Sequence, residues 1–167
     1  QMTTQTGKNV AVYGVAGNFD DAQRGVKVAF TDEALAQKLA AHGKKLSSAN
    51  SINWGRLSPQ IVYYATSYLQ LCAEGVLSFG QPLDFCVPTG NFGDIMAGWY
   101  AKQMGVPVGR LLCASNKNNV LADFLSTGTY DAKRTFYKTS SPSMDILVSS
   151  NLERLLSHTS DSDTAVR

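Results

Sequence analysis

Residues 83–100 read LDFCVPTGNFGDIMAGWY. A short apolar run stops at Pro88 and gives way to Thr89, Gly90, Asn91, Phe92, Gly93 and Asp94, after which apolar positions recur at helical spacing. The stretch predicts a strand, a glycine loop and a helix. Gly90 and Gly93, three apart, suit positive φ and leave neighbouring N–H groups unobstructed. The helix behind them aims its unpaired N–H groups and the positive end of its dipole into the same space. Such a corner suits a phosphate. It lacks Gly-Lys-Ser/Thr and the G-x-G-x-x-G pattern, which argues against a P-loop nucleotide site and against a dinucleotide site. By composition alone it is more often a tight strand-to-helix turn that holds nothing.

Outward from this stretch, strand and helix alternate without a hairpin signal. Residues 9–15, NVAVYGV, and residues 46–49 read as strands, as does 108–114, and the segments between them carry helical periodicity. Asn18 or Asp20 suits the start of a first helix, Thr31 the start of a second, and Gly43 its end. Ser58-Pro59 predicts a kink or a restart within a long helix that ends at Gly75. Asn118 suits the start of a helix ended by Gly128. The alternation predicts an α/β fold, a Rossmann-like three-layer domain with a parallel sheet of about four strands and helices on both faces. Ligands of such sheets sit at the carboxyl ends of strands, where residues 89–94 fall. One domain is expected over 1–167, with a frayed tail at 157–167.

Composition narrows the classes of partner. The 167 residues are 44% hydrophobic, and 15 basic against 13 acidic residues leave a net charge of +2 without a basic run. Neither a nucleic-acid nor a membrane footprint is present. Cys72, Cys86 and Cys113 match no metal-site or disulfide spacing, so no metal is expected, and free thiols in a reducing cytoplasm are. Residue 1 is Gln and no secretory h-region follows, so the chain is expected to be part of a longer protein.

Four motifs together carry a family resemblance: Asn50-Ser51-Ile52-Asn53-Trp54 with residues 60–64, QIVYY; Pro88 to Asp94 with AGWYAK at 97–102; Asn116 with Asn118-Asn119; and SPSMDI at 141–146 with SSNLER at 149–154. In this combination the chain resembles the threonine synthases, pyridoxal-phosphate enzymes of the tryptophan-synthase-β fold type. The resemblance implies a carbon–oxygen lyase acting on phosphates, which turns O-phosphohomoserine and water into L-threonine and phosphate. It implies that Gly90, Asn91, Phe92, Gly93 and Asp94 hold the cofactor 5′-phosphate, the role the backbone argument reaches independently. It also implies a cofactor-carrying lysine between an aromatic residue and Asp, a context none of the lysines here has. The chain is therefore expected to be one domain of a larger enzyme, working with that enzyme's remaining domains and inactive alone. Another pyridoxal-phosphate phospho-lyase, or a non-catalytic phosphate-binding domain, are the alternatives.

Candidate substrate contacts compete with ordinary structural roles. Asn50, Ser51 and Asn53 suit a substrate carboxylate or helix caps, and Asn53 is read as a cap. Asn116, Asn118 and Asn119 suit the far side of the cleft or a loop and cap. Arg56 and Arg154 offer a guanidinium fork to a substrate phosphate or face solvent. Asp94 reads as a first-turn acid that steadies the loop. His42 and His158 carry no catalytic signal.

Overall fold

The computed structural model describes residues 7–160, which fall into two compact units divided between Leu46 and Ser47. In the first, α1 (Phe19–Thr31) opens with a capping box in which Asn18 and Asp21 exchange side-chain-to-backbone hydrogen bonds of 2.9 and 3.1 Å. Helix α2 (Glu33–Ala40) is capped by Asp32, whose carboxylate accepts the Leu35 N–H at 2.9 Å, rather than by Thr31. Thr31 still belongs to α1, and its hydroxyl turns back to the Val28 carbonyl at 3.0 Å. Gly43, at φ 65°, follows α2.

The second unit begins with α3 (Trp54–Leu57), capped by Asn53 as read from sequence. A 3-10 turn, Ser58–Gln60, carries Pro59 at its start and leads into α4 (Ile61–Ala73). Proline at a helix start gives up an N–H that would have no partner anyway, so the chain restarts there. Strand β1 (Leu83–Pro88), helix α5 (Gly93–Gln103) and strand β2 (Val108–Ala114) form a parallel crossover unit with Phe85 opposite Leu111 and Val87 opposite Cys113. Helices α6 (Val120–Thr127) and α7 (Leu152–Thr159) complete it. The inner sheet face packs Phe85, Val87, Val108 and Leu111 against Tyr64 of α4 and Ile95, Met96, Ala97 and Ala101 of α5, with Leu57, Leu121 and Leu152 closing the core.

The α/β class stands, but among the described residues the sheet has two strands instead of about four. Residues 9–15 make a single bridge, Gly7 with Val10, and leave Val12, Tyr13 and Val15 exposed, while residues 46–49 have no strand pairing. An apolar β-branched run becomes a strand only when a neighbour takes up its N–H and C=O groups, and here none does. The outer sheet face, with Asp84, Cys86 and Leu112, is exposed, and no helix of the second unit covers it among the described residues. At the other end α7 runs through Thr159, so residues 157–159, read as tail, are helical, and 161–167 lie outside the described residues. No helix among the described residues is long and apolar enough to cross a membrane, and no cluster of three His, Cys, Asp or Glu there could hold a metal ion.

Candidate functional site

The loop between β1 and α5 leaves the sheet at Thr89, whose N–H donates to the Ala114 carbonyl at 2.7 Å and whose hydroxyl donates to the Val87 carbonyl at 2.7 Å. Its left-handed residue is Phe92, at φ 63° and ψ 10°; neither Gly90 nor Gly93 has positive φ, contrary to the expectation from sequence. The Phe92 ring is buried in the core, and that packing holds an unfavourable backbone conformation in place.

The glycines are required for space. A Cβ on Gly90 would lie 2.9 Å from Ile146 Cδ1, and one on Gly93 would lie 2.7 Å from Ser51 Cβ and 3.6 Å from Asn151 Nδ2. Gly98, one turn into α5, lets the helix approach Tyr64, whose ring carbons stand 2.7 Å from where its Cβ would be.

Segment 149–154 fastens the loop from outside. The Ser149 hydroxyl donates to the Gly90 carbonyl. Asn151 donates twice to the Asn91 carbonyl, from its backbone N–H at 3.0 Å and from Nδ2 at 3.1 Å, and Nδ2 also reaches Ser51 Oγ at 2.8 Å. Arg154 donates to the Ile52 carbonyl. Three segments far apart in sequence thus meet at Gly93. With the carbonyls of Gly90 and Asn91 occupied, the N–H groups of Gly90, Asn91, Phe92 and Gly93 have no acceptor among the described residues. The N-terminus of an 11-residue helix adds its dipole to them. Backbone donors in this arrangement can take an anion without the help of a charged side chain.

Asp94 sits in the first turn of α5 with its backbone carbonyl accepting from the Tyr64 hydroxyl at 2.8 Å and its carboxylate 3.4 Å from the same hydroxyl. Burial pushes the Asp94 carboxyl above the usual carboxylate range, and burial together with the Asp94 charge pushes the Tyr64 phenol up.

The remaining candidates have identifiable partners. Asn50 folds onto its own turn, its Oδ1 accepting from Ser48 Oγ at 2.7 Å and the Ile52 N–H at 3.0 Å. Asn53 Oδ1 accepts the Gly55 N–H at 2.9 Å, and Arg56 donates to the Ala49 carbonyl. Asn116 joins a polar knot around Asp145: Asn116 Nδ2, Asn118 Nδ2, and the Thr139 hydroxyl and N–H donate to its carboxylate at 2.7 to 3.1 Å. These bonds hold the Asp145 carboxyl below the usual carboxylate range, the Thr139 bonds most. Asn118 caps no helix. Its amide pairs with both backbone groups of Tyr137, at 2.8 and 2.9 Å, and α6 starts after Asn119 instead. His158 stacks on Trp99 at 5.3 Å and meets the Tyr100 hydroxyl at 2.8 Å, while His42 meets the Lys38 carbonyl.

Sequence reasoning assigned no part to Tyr64, Ser149, Asn151 or Asp145. Ser149 and Asn151 stand in a motif quoted above, but their partners lie 59 to 100 residues away, beyond the reach of local patterning.

No protein-family model matches the chain. It is 54% identical over 145 residues to human threonine synthase-like 1, covering 86% of this chain and 20% of that protein. It is 48% identical over 156 residues to threonine synthase of Pseudomonas aeruginosa, covering 93% of this chain and 31% of that one. The pyridoxal-phosphate-bound threonine synthase of Brucella melitensis superposes with a TM-score of 0.72 at 45% identity, over 90% of this chain and 30% of that structure. The chain therefore spans between about a fifth and a third of the length of the relatives it matches.

Proposed function

We propose that this chain, homologous over most of its length to a segment of the threonine synthases, supplies the cofactor-phosphate cradle of a pyridoxal-phosphate enzyme that converts O-phosphohomoserine and water to L-threonine and phosphate. The observation that carries this reading is the run of N–H groups from Gly90 to Gly93 with no acceptor among the described residues. Partly buried donors left without acceptors are costly, and a phosphate satisfies several at once.

The residues fit the group. Gly90, Asn91, Phe92 and Gly93 hold its phosphate through backbone N–H groups, and Asp94 does so through its own N–H. An ionised Asp94 side chain would repel the phosphate, so the Asp94 contribution is its backbone N–H and not its carboxylate. When bound, pyridoxal phosphate supplies an electron sink that stabilises carbanions. Ser51, beside Gly93, orients substrate or ring from one side of the loop, while Asn50, Asn53, Asn116 and Arg154, each engaged with the protein, act on substrate by shaping the segments around it.

The larger enzyme's remaining domains supply the cofactor-carrying lysine, so the chain alone is inactive. In that enzyme residues 1–167 form one domain with a fuller parallel sheet of about four strands and helices on both faces, 9–15 and 46–49 finding their partners there. A reducing cytoplasm suits the three free cysteines.

The test is titration of the chain with inorganic phosphate and with pyridoxal phosphate, followed by amide NMR, beside an assay for threonine. Saturable shifts at Gly90 to Asp94 without threonine formation are expected. No shift there overturns the cradle, and threonine made by the chain alone overturns its inactivity.

One observation favours a second reading: the 54% identity is to a protein named threonine synthase-like. A phospho-lyase that releases phosphate without making threonine would use the same cradle. Product analysis of the full-length enzyme separates the two.

A further inference from the structure

We propose that Ser149 and Asn151 are positioning residues that set the direction of the cradle's N–H groups. This rests on the reading of residues 90–94 as a phosphate cradle, and adds what orients it.

The argument starts from the planarity of the peptide group. No peptide among the described residues is cis, so the C=O and the following N–H of each plane point in opposite directions. The Ser149 hydroxyl holds the Gly90 carbonyl, and this turns the N–H of Asn91 away from segment 149–151. Asn151 holds the Asn91 carbonyl with two donors, and this turns the N–H of Phe92 away in the same manner. Two consecutive planes are fixed by two consecutive clamps, and the released N–H groups are among those without an acceptor.

The Asn151 amide has one possible orientation, because the Asn91 carbonyl can only accept and so must face Nδ2. Its Oδ1 is then buried without a partner among the described residues, in a residue with 0% exposure. A side chain kept for core packing alone would not carry that penalty. The gain lies in its donors: Nδ2 bridges Asn91 and Ser51, joining the loop to the segment that fills the space beside Gly93. Phe92, held at positive φ, follows directly and carries the chain into α5. The clamps thus act where the backbone is least favourable by itself.

The experiment titrates the 167-residue chain with inorganic phosphate as wild type, Ser149→Ala, Ser149→Thr and Asn151→Asp, following the amide shifts of Asn91 and Phe92 and the melting temperature. Ser149→Ala is expected to weaken phosphate binding about tenfold and to move the free-state shift of Asn91 more than that of Gly93. Ser149→Thr keeps the hydroxyl and is expected to restore both. Asn151→Asp, with the same shape but no Nδ2 donor, is expected to weaken phosphate binding and to move the free-state shift of Phe92. If it fails to fold, the Ser149 pair decides. Wild-type affinity in Ser149→Ala overturns the inference and leaves the cradle standing; failure of Thr to restore what Ala loses also overturns it. No phosphate binding by wild type overturns the cradle and the inference together.

Discussion

The Tyr64 hydroxyl donates to the Asp94 backbone carbonyl at 2.8 Å, tying α4 to the first turn of α5 across 30 residues of sequence. The Tyr64 ring packs edge-on to Phe85 at 4.8 Å, so removing the hydroxyl leaves the packing in place. Tyr64→Phe is expected to cost about 1 kcal/mol, the net worth of a neutral hydrogen bond, read as a lower urea midpoint at unchanged slope.

Alanine at Gly98 must displace the Tyr64 ring and Leu111, whose Cδ2 lies 2.9 Å from the new Cβ. Overpacking of this kind costs roughly 1–3 kcal/mol. Gly25, inside α1, has nothing within 4 Å of its Cβ position, and alanine there is expected to stabilise by about 0.5–1 kcal/mol. Thermal melts of the two variants should move in opposite directions.

Gly93→Ala brings its Cβ against Ser51 Cβ, and a destabilisation of about 1–3 kcal/mol is expected. Ser51→Gly removes the obstacle and also the Asn151 partner. The double variant should therefore recover part of the loss, and a double-mutant cycle with no coupling would refute the contact.

Phe92→Gly pits two effects against each other. Glycine relieves a left-handed conformation worth roughly 1–2 kcal/mol. It also removes a buried aromatic side chain, which costs about 3–5 kcal/mol. Packing wins, and the variant should be less stable by about 2 kcal/mol in denaturant unfolding.

Asp145 sets a dependence on acid. Its folded pKa is lowered, so its contribution is complete above the unfolded carboxylate value near 4 and is lost as pH falls through the lower folded value. Asp145→Asn replaces one carboxylate acceptor with an NH2 donor that faces partners which themselves donate, so it should lower stability at neutral pH and flatten the decline below about pH 4. Unfolding free energies at pH 7, 4 and 3 check both. Asp94, whose carboxyl is raised by burial, acts with the opposite sign: its contribution falls as pH rises past the unfolded value.

Much of this molecule was legible before its structure. Strands 83–88 and 108–114, the restart at Pro59, the Asn53 cap and the placing of a loop at a strand's carboxyl end follow from local rules: apolar runs, a missing N–H, a short polar side chain. The candidate site was legible as a loop but not as a device. Gly90 and Gly93 were read for φ, and their use is clearance; positive φ fell instead on Phe92. Asn118 was read as a cap and serves Tyr137 and Asp145.

What the sequence by itself determined is whatever the chain settles within a few residues, namely periodicity, caps, breaks and the donor-rich corner at 89–94. Only the tertiary structure decided which neighbours those residues meet. Residues 9–15 have a strand's composition yet no strand, because pairing belongs to two segments and composition to one. The N–H groups of Asn91 and Phe92 share peptide planes with the Gly90 and Asn91 carbonyls, and those carbonyls are held by Ser149 and Asn151, brought from 59 and 60 residues away.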